Sequence, residues 1–168
     1  IGKVKCFYGN FLVALRAAVY IDTLGAEGIK DAAQKAVLNA NYLMEGLKEF
    51  YPVAYDRVCM HEFVLTLENL KHEKGVSAMD VAKAMLDYGI HPPTMYFPLI
   101  VHEDLMFEPT ETETKETLDE AIRVLGEIRQ IAEKDAQSLH EAPHRTIIGR
   151  VDEVRAARQP VLKYAFND

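Results

Sequence analysis

One long apolar stripe constrains this chain more than any other feature. Ile29, Ala32, Ala33, Ala36, Val37, Ala40, Leu43, Met44, Leu47 and Phe50 recur at three- and four-residue spacing, with Lys30, Gln34, Asn41, Glu45 and Lys48 between them. That is the pattern of an amphipathic helix over about Glu27 to Phe50. At about 1.5 Å per residue it would run roughly 36 Å, long enough to be the spine of a domain. The stretch before it differs. Between Asn10, a suitable N-cap, and Gly25, a suitable stop, residues Phe11 to Leu24 are apolar on nearly every side, broken mainly by Arg16, Asp22 and Thr23. A helix apolar all round needs a layer on each face. A small domain cannot cover both, so a second body is expected over one of them.

The remaining elements follow in order. Phe63, Leu65 and Leu67 alternate with Glu62, Val64, Thr66 and Glu68, which reads as a strand with one buried face, and Pro52 to Val58 is a plausible antiparallel partner. Lys71 to Gly75 reads as a charged loop. Ser77 and Asp80 have capping-box spacing and open a helix that Gly89 ends. Its inner face would be Ala78, Val81, Ala82, Met85 and Leu86. Leu99 to Phe107 has strand character, interrupted at His102-Glu103-Asp104. Thr110 and Glu113 suggest a second capping box, opening a helix over about Glu111 to Leu139 with the stripe Leu118, Ile122, Leu125, Ile128 and Ala132. A tail from 141 to 168 carries one short helix, Asp152 to Arg158. The expected fold class is α+β, with helices packed on a small antiparallel sheet. We expect a body over 1–140 and an extended tail over 141–168.

With 168 residues, 49% of them apolar and 27% charged, the chain has the profile of one globular domain. Its net charge of −7 argues against nucleic acid and anionic membrane surfaces as partners. No apolar run approaches the roughly 18 residues of a membrane span. The start, Ile1-Gly2-Lys3-Val4-Lys5, resembles neither a signal nor a transit peptide, and the initial Ile suggests a piece of a longer protein. The two cysteines, Cys6 and Cys59, read as reduced thiols of a cytoplasmic protein rather than a disulfide framework. No His/Cys spacing suits a metal.

Candidate chemistry is sparse. Gly9-Asn10 lies where a loop meets a helix start, a place whose free amides suit an anion, although a turn and a cap explain it better. His91-Pro92-Pro93-Thr94-Met95-Tyr96-Phe97-Pro98 is a proline-stiffened segment. It offers an imidazole and two hydroxyls in low-entropy positions, which a structural turn would also use. Glu108, Glu111 and Glu113 could be paired carboxylates, but acid in a helix's first turn accounts for them better. No nucleophile–base pair or phosphate loop is present, and we assign no catalytic residue and no metal ligand.

Several ordered stretches resemble one family. His91 to Pro98 leads into Leu99-Ile100-Val101-His102-Glu103. Glu108-Pro109-Thr110-Glu111-Thr112-Glu113, Lys115-Glu116-Thr117-Leu118-Asp119, Gly9-Asn10-Phe11 leading into the Arg16 helix, Leu38-Asn39-Ala40-Asn41-Tyr42-Leu43, His61-Glu62-Phe63, Ala142-Pro143-His144 and Asp152-Glu153-Val154-Arg155-Ala156-Ala157-Arg158-Gln159-Pro160 complete the set. Together they resemble the C-terminal part of glycine dehydrogenase (decarboxylating) subunit 2, the P-protein of the glycine cleavage system. The resemblance implies the small C-terminal domain of a fold type I enzyme dependent on pyridoxal phosphate. It further implies glycine as substrate, a lipoylated H-protein that receives the aminomethyl group, a companion subunit 1, and an oligomeric assembly in the cytoplasm. By the same match, Gly9 and Asn10 would lie near the cofactor, and His91, Thr94 and Tyr96 would wall the substrate cleft. The family's cofactor lysine follows a histidine. Here only the reverse, Lys71-His72, occurs, so the chain alone should not hold the cofactor covalently. The competing expectation is a non-catalytic binding or assembly module that keeps only the interface.

Overall fold

The computed structural model describes residues 1–4, 7–164 and 166. Cys6 lies outside them, so the expectation of two thiols is addressed only at Cys59, which is partly buried. The stripe forms α1 (Phe11–Leu47), which breaks at Gly25, where φ is 62° and ψ −175°. Gly25 therefore separates two helical segments as expected, because only glycine adopts that conformation without steric cost. The second segment buries Ala40, Leu43, Met44 and Leu47. The first segment is uncovered: Phe11 to Thr23 are all exposed, Phe11 by 75% and Val13 by 63%. Asn10 occupies the N-cap position, but its side chain makes no capping bond; its carbonyl accepts from the Ala14 amide at 3.1 Å.

Three antiparallel strands form the sheet, in the order β1 (Phe63–Thr66), β3 (Asp104–Phe107), β2 (Thr94–Met95). Phe63 pairs with Phe107, Leu65 with Leu105, and Met95 with Leu105, so one face carries the apolar rows into the core. The Phe63 and Phe107 rings stack with centroids 5.5 Å apart, a favourable cross-strand contact. The expected strand Pro52 to Val58 supplies only a single bridge, Val53 to Leu65. Pro52 has no amide for a ladder, which restricts it to an edge.

Three further expectations need correction. Glu68–Lys74 is a short helix, α2, closed by Gly75 at φ 76°; it is neither strand end nor charged loop. Only Leu70 within it is buried, so it shows no apolar period to read. Leu99 to Glu103 are turns, and the strand begins only at Asp104. The long final helix starts later and ends earlier than expected. Thr114, not Thr110, caps α4 (Lys115–Lys134) by accepting from the Thr117 amide. The carbonyls of Thr110 and Glu113 instead accept from Asn39 Nδ2 at 2.9 and 3.0 Å, a contact from α1 that local spacing cannot reveal. Asp135 then breaks the run (φ −151°, ψ 73°) and caps α5 (Ala136–Glu141) through the Ser138 amide. The Ser77–Asp80 capping box of α3 (Ala78–Leu86) forms as expected, as does α6 (Glu153–Arg158).

α1 and α4 cross where each has a glycine. A Cβ at Gly46 would strike the Ile122 side chain, and one at Gly126 would meet the Phe50 ring at 2.9 Å. Beside the crossing, the buried Tyr51 hydroxyl donates to the Leu125 carbonyl at 3.0 Å. Overpacking such a contact costs about 1–3 kcal/mol. Gly46→Ala should lower the unfolding free energy by about that amount, read by urea denaturation. Adding Ile122→Val should recover part of the loss, because the two sites touch.

Asp104 is fully buried, and neither carboxylate oxygen has a hydrogen-bond partner. Burial raises its pKa above the ordinary carboxylate value, with the neighbouring Glu103 charge adding to the rise against the nearby Asp104 and Phe97 amides. A carboxyl whose pKa is raised in the folded state carries no buried charge in acid. It destabilises the fold as pH climbs past its unfolded value of about 3.9. Asp104→Asn should therefore stabilise the protein by about 1 kcal/mol near pH 8, and the gain should shrink toward pH 4. Thermal melts at both pH values read this; a loss of stability at both would refute the unpaired charge.

Candidate functional site

The sheet's outer row is Val64, Met106 and Thr94, neighbours across β1, β3 and β2. Val64 and Met106 of this row lie under a cleft of about 670 Å³, walled by Arg57, Cys59, His61, Phe97 and Pro98. Asn41 fixes one wall, since its side-chain amide donates to the Cys59 carbonyl at 2.8 Å and accepts from the Cys59 amide at 3.0 Å. Burial is the main reason the Cys59 thiol titrates above its usual value. A second cleft, about 380 Å³, lies on the other side of the turn and is lined by Glu68, Lys71, His72, Tyr96, His102 and Glu103.

The proline-rich segment thus divides between two clefts. Phe97 and Pro98 wall the first, whose lining includes Met106; Thr94, the strand partner of Met106, lines neither cleft. Tyr96 faces the second, because its backbone turns at φ 57°. Glu103, φ 47°, closes the same turn, and its carboxylate accepts from the Ala78 amide at the start of α3 (2.8 Å). Two non-glycine residues in the left-handed region within eight positions cost on the order of 1–3 kcal/mol each. The Tyr96 hydroxyl is raised, chiefly by burial and then by the Glu103 charge. His91 is exposed and lines neither cleft. Gly9 (φ 115°) and Asn10 stand exposed at the start of α1, where the first-turn amides are free to meet an anion.

The most connected polar cluster is one that sequence reasoning missed. The buried Asp80 carboxylate accepts from the Ser77 hydroxyl (2.6 Å), the Ser77 amide (2.9 Å) and Arg150 (2.9 Å), with His140 Nδ1 at 3.2 Å. Burial pushes Asp80 upward, but the Ser77 bonds and the Arg150 charge overcome it and hold the carboxyl below its ordinary value. Ser77 and Asp80 were legible as a capping box. Arg150 and His140 lie 70 and 60 residues away, beyond any local pattern.

The residues present do not fit covalent attachment of pyridoxal phosphate. A lysine that forms a Schiff base needs a depressed pKa, usually from burial or a neighbouring cation. No lysine among the described residues is buried. Lys35, Lys74 and Lys115 pair with Asp31, Glu133 and Asp119 at 2.6, 2.7 and 2.6 Å. Carboxylate partners hold Lys48 and Lys115 above their usual value. Lys71 lines the smaller cleft, where it donates to the Gly75 carbonyl.

Comparison with known proteins agrees with this fold. Residues 32–147 match the family described as glycine dehydrogenase, C-terminal domain. A probable glycine dehydrogenase (decarboxylating) subunit 2 from Treponema denticola is 62% identical over 164 residues, which is 98% of this chain and 34% of the relative. Its counterpart from Thermosipho melanesiensis is 53% identical over 168 residues, 100% of this chain and 35% of the relative. Among solved structures, an inhibitor-bound glycine decarboxylase (P-protein) of the glycine cleavage system superposes with a TM-score of 0.62 at 26% identity, covering 74% of this chain and 28% of that one. The chain spans about a third of the length of the curated relatives it matches. With identity this high across nearly its whole length, the chain belongs to the glycine dehydrogenase family and carries its C-terminal domain.

Proposed function

We propose that this chain is the C-terminal portion of a glycine-decarboxylating enzyme of fold type I. The observation that carries the reading is the 62% identity to a subunit 2 protein over 98% of the chain. In the whole enzyme, pyridoxal phosphate would supply the electron sink that lets glycine release carbon dioxide. The aminomethyl group would then pass to the lipoyl arm of an H-protein, with subunit 1 completing a cytoplasmic oligomer. Supporting this is the bare apolar face of α1 from Phe11 to Thr23, which a further body of the enzyme would cover.

This chain's own contributions in that reading are positional. The free amides at Gly9 and Asn10 would meet an anionic group of the cofactor. Thr94 and Tyr96, set by β2 and the turn after it, and His91 share neither of the two clefts within this chain, and would wall the substrate cleft only where the rest of the enzyme completes it. A division into a body over 1–140 and a tail over 141–168 fits the loss of burial after Pro143.

Pyridoxal phosphate titrated into the chain alone should give no stoichiometric Schiff-base absorbance, and borohydride should trap no single lysine. A one-to-one adduct would refute the reading. In the full-length enzyme, Gly9→Ala should weaken cofactor affinity by about tenfold, equivalent to ~1.4 kcal/mol, because alanine resists φ 115° and crowds the approach. Unchanged affinity would remove Gly9 and Asn10 from the site.

A further inference from the structure

After Pro143 the chain leaves the core. The His144 and Arg145 amides donate to the Asp87 carboxylate at 2.8 and 2.6 Å, which fixes the exit point. From Thr146 to Tyr164 every residue is exposed, Ile147 and Val161 almost completely. Among the described residues, few contacts bind this stretch to the body. Arg150 reaches the Asp80 carboxylate at 2.9 Å and the Ala142 carbonyl at 3.4 Å, and Lys83 faces Glu153 at 3.9 Å. The Lys83–Glu153 pair is long and exposed, so salt and water leave it weak.

The Arg150 contact has an unusual partner. Removing one member of a buried ion pair normally strands the other charge without donors. Asp80 is not stranded. Arg150 takes Oδ1, while Oδ2 keeps the Ser77 amide, the Ser77 hydroxyl and His140 Nδ1. These bonds come from α3's own capping box and from α5, and they persist whether or not the tail is attached. Arg150 is itself 31% exposed, so its guanidinium can return to water along an open path. The contact is therefore strong enough to place the tail and inexpensive enough to open.

We propose that residues 146–164 form a strap closed on the body by one releasable ion pair, Arg150 on Asp80, and that it swings about the exit point held by Asp87. Closed, it brings Glu153 at the start of α6 within 3.9 Å of Lys83 on α3. Open, it carries Val151 and Val154, already 50% and 62% exposed when closed, away from the body with Arg155 and Arg158, while α3 and α5 stay as they are.

Amide hydrogen exchange on the full chain tests this with Arg150→Met. The amides of residues 150–158 should exchange at least tenfold faster in the variant, and those of α3 and α4 should not change. The wild-type chain moved from about 0.05 to about 1 M salt should shift the same way, because screening weakens the partly exposed pair. Arg150→Lys should recover part of the protection. Three results would overturn the proposal. Residues 150–158 could exchange at the unprotected rate already in the wild type. They could change less than twofold in Arg150→Met. Or α3 and α4 could loosen as much as the tail, which would make the pair a structural staple.

Discussion

The fold depends on the crossing of α1 and α4. Each helix gives up a side chain there, Gly46 toward Ile122 and Gly126 toward Phe50, so the axes approach closely and the apolar rows interlock. Leu43, Met44 and Leu47 of α1 and Leu125 and Ile128 of α4 are all buried in this contact region and the core beside it. The same helix then positions the loops. Asn39 holds Thr110 and Glu113, Asn41 holds Cys59, and Tyr42 donates to Asp119. One face of the spine builds the core, and its polar flank sets the walls of the clefts.

That division explains what could be read from the sequence. The stop at Gly25, the Ser77–Asp80 box, the α4 stripe and the α1 stripe from Ala40 onward are local patterns with strong physical causes, and each formed, while Ile29 and Ala33 at the head of the α1 stripe stay exposed. The errors fell where tertiary contacts outweighed local ones. Thr110 and Glu113 have capping-box spacing, but Asn39 claims their carbonyls and the cap passes to Thr114. Glu68–Lys74 folds as a helix although only Leu70 is buried. The site was less legible than the fold. Tyr96 and Phe97 are adjacent yet line different clefts, with Tyr96 in the left-handed region directly after the strand. The Asp80 cluster adds His140 and Arg150 to the legible Ser77 cap, and no spacing connects those two to it.

The polar interior follows one rule with one exception. Asp80 is buried and satisfied by several donors, which keep it ionised. Asp104, also buried, has none, and it sits directly after the strained Glu103 at the root of the turn that carries Phe97, Leu99 and Ile100. Strain and an unpaired carboxyl at the base of one exposed apolar turn are features that cost stability and are expected near function rather than in a purely structural loop. They lie beside the clefts, in the stretch that carried the family resemblance.

The proposed function places this chain in a glycine-decarboxylating enzyme whose reacting centre it does not hold by itself. Exchange of labelled carbon dioxide into the carboxyl of glycine tests it most directly. The complete protein that contains this chain, assembled with its companion subunit, cofactor and H-protein, should catalyse the exchange; the chain alone under the same conditions should not. Exchange by the chain alone, or none by the complete assembly, would contradict the account.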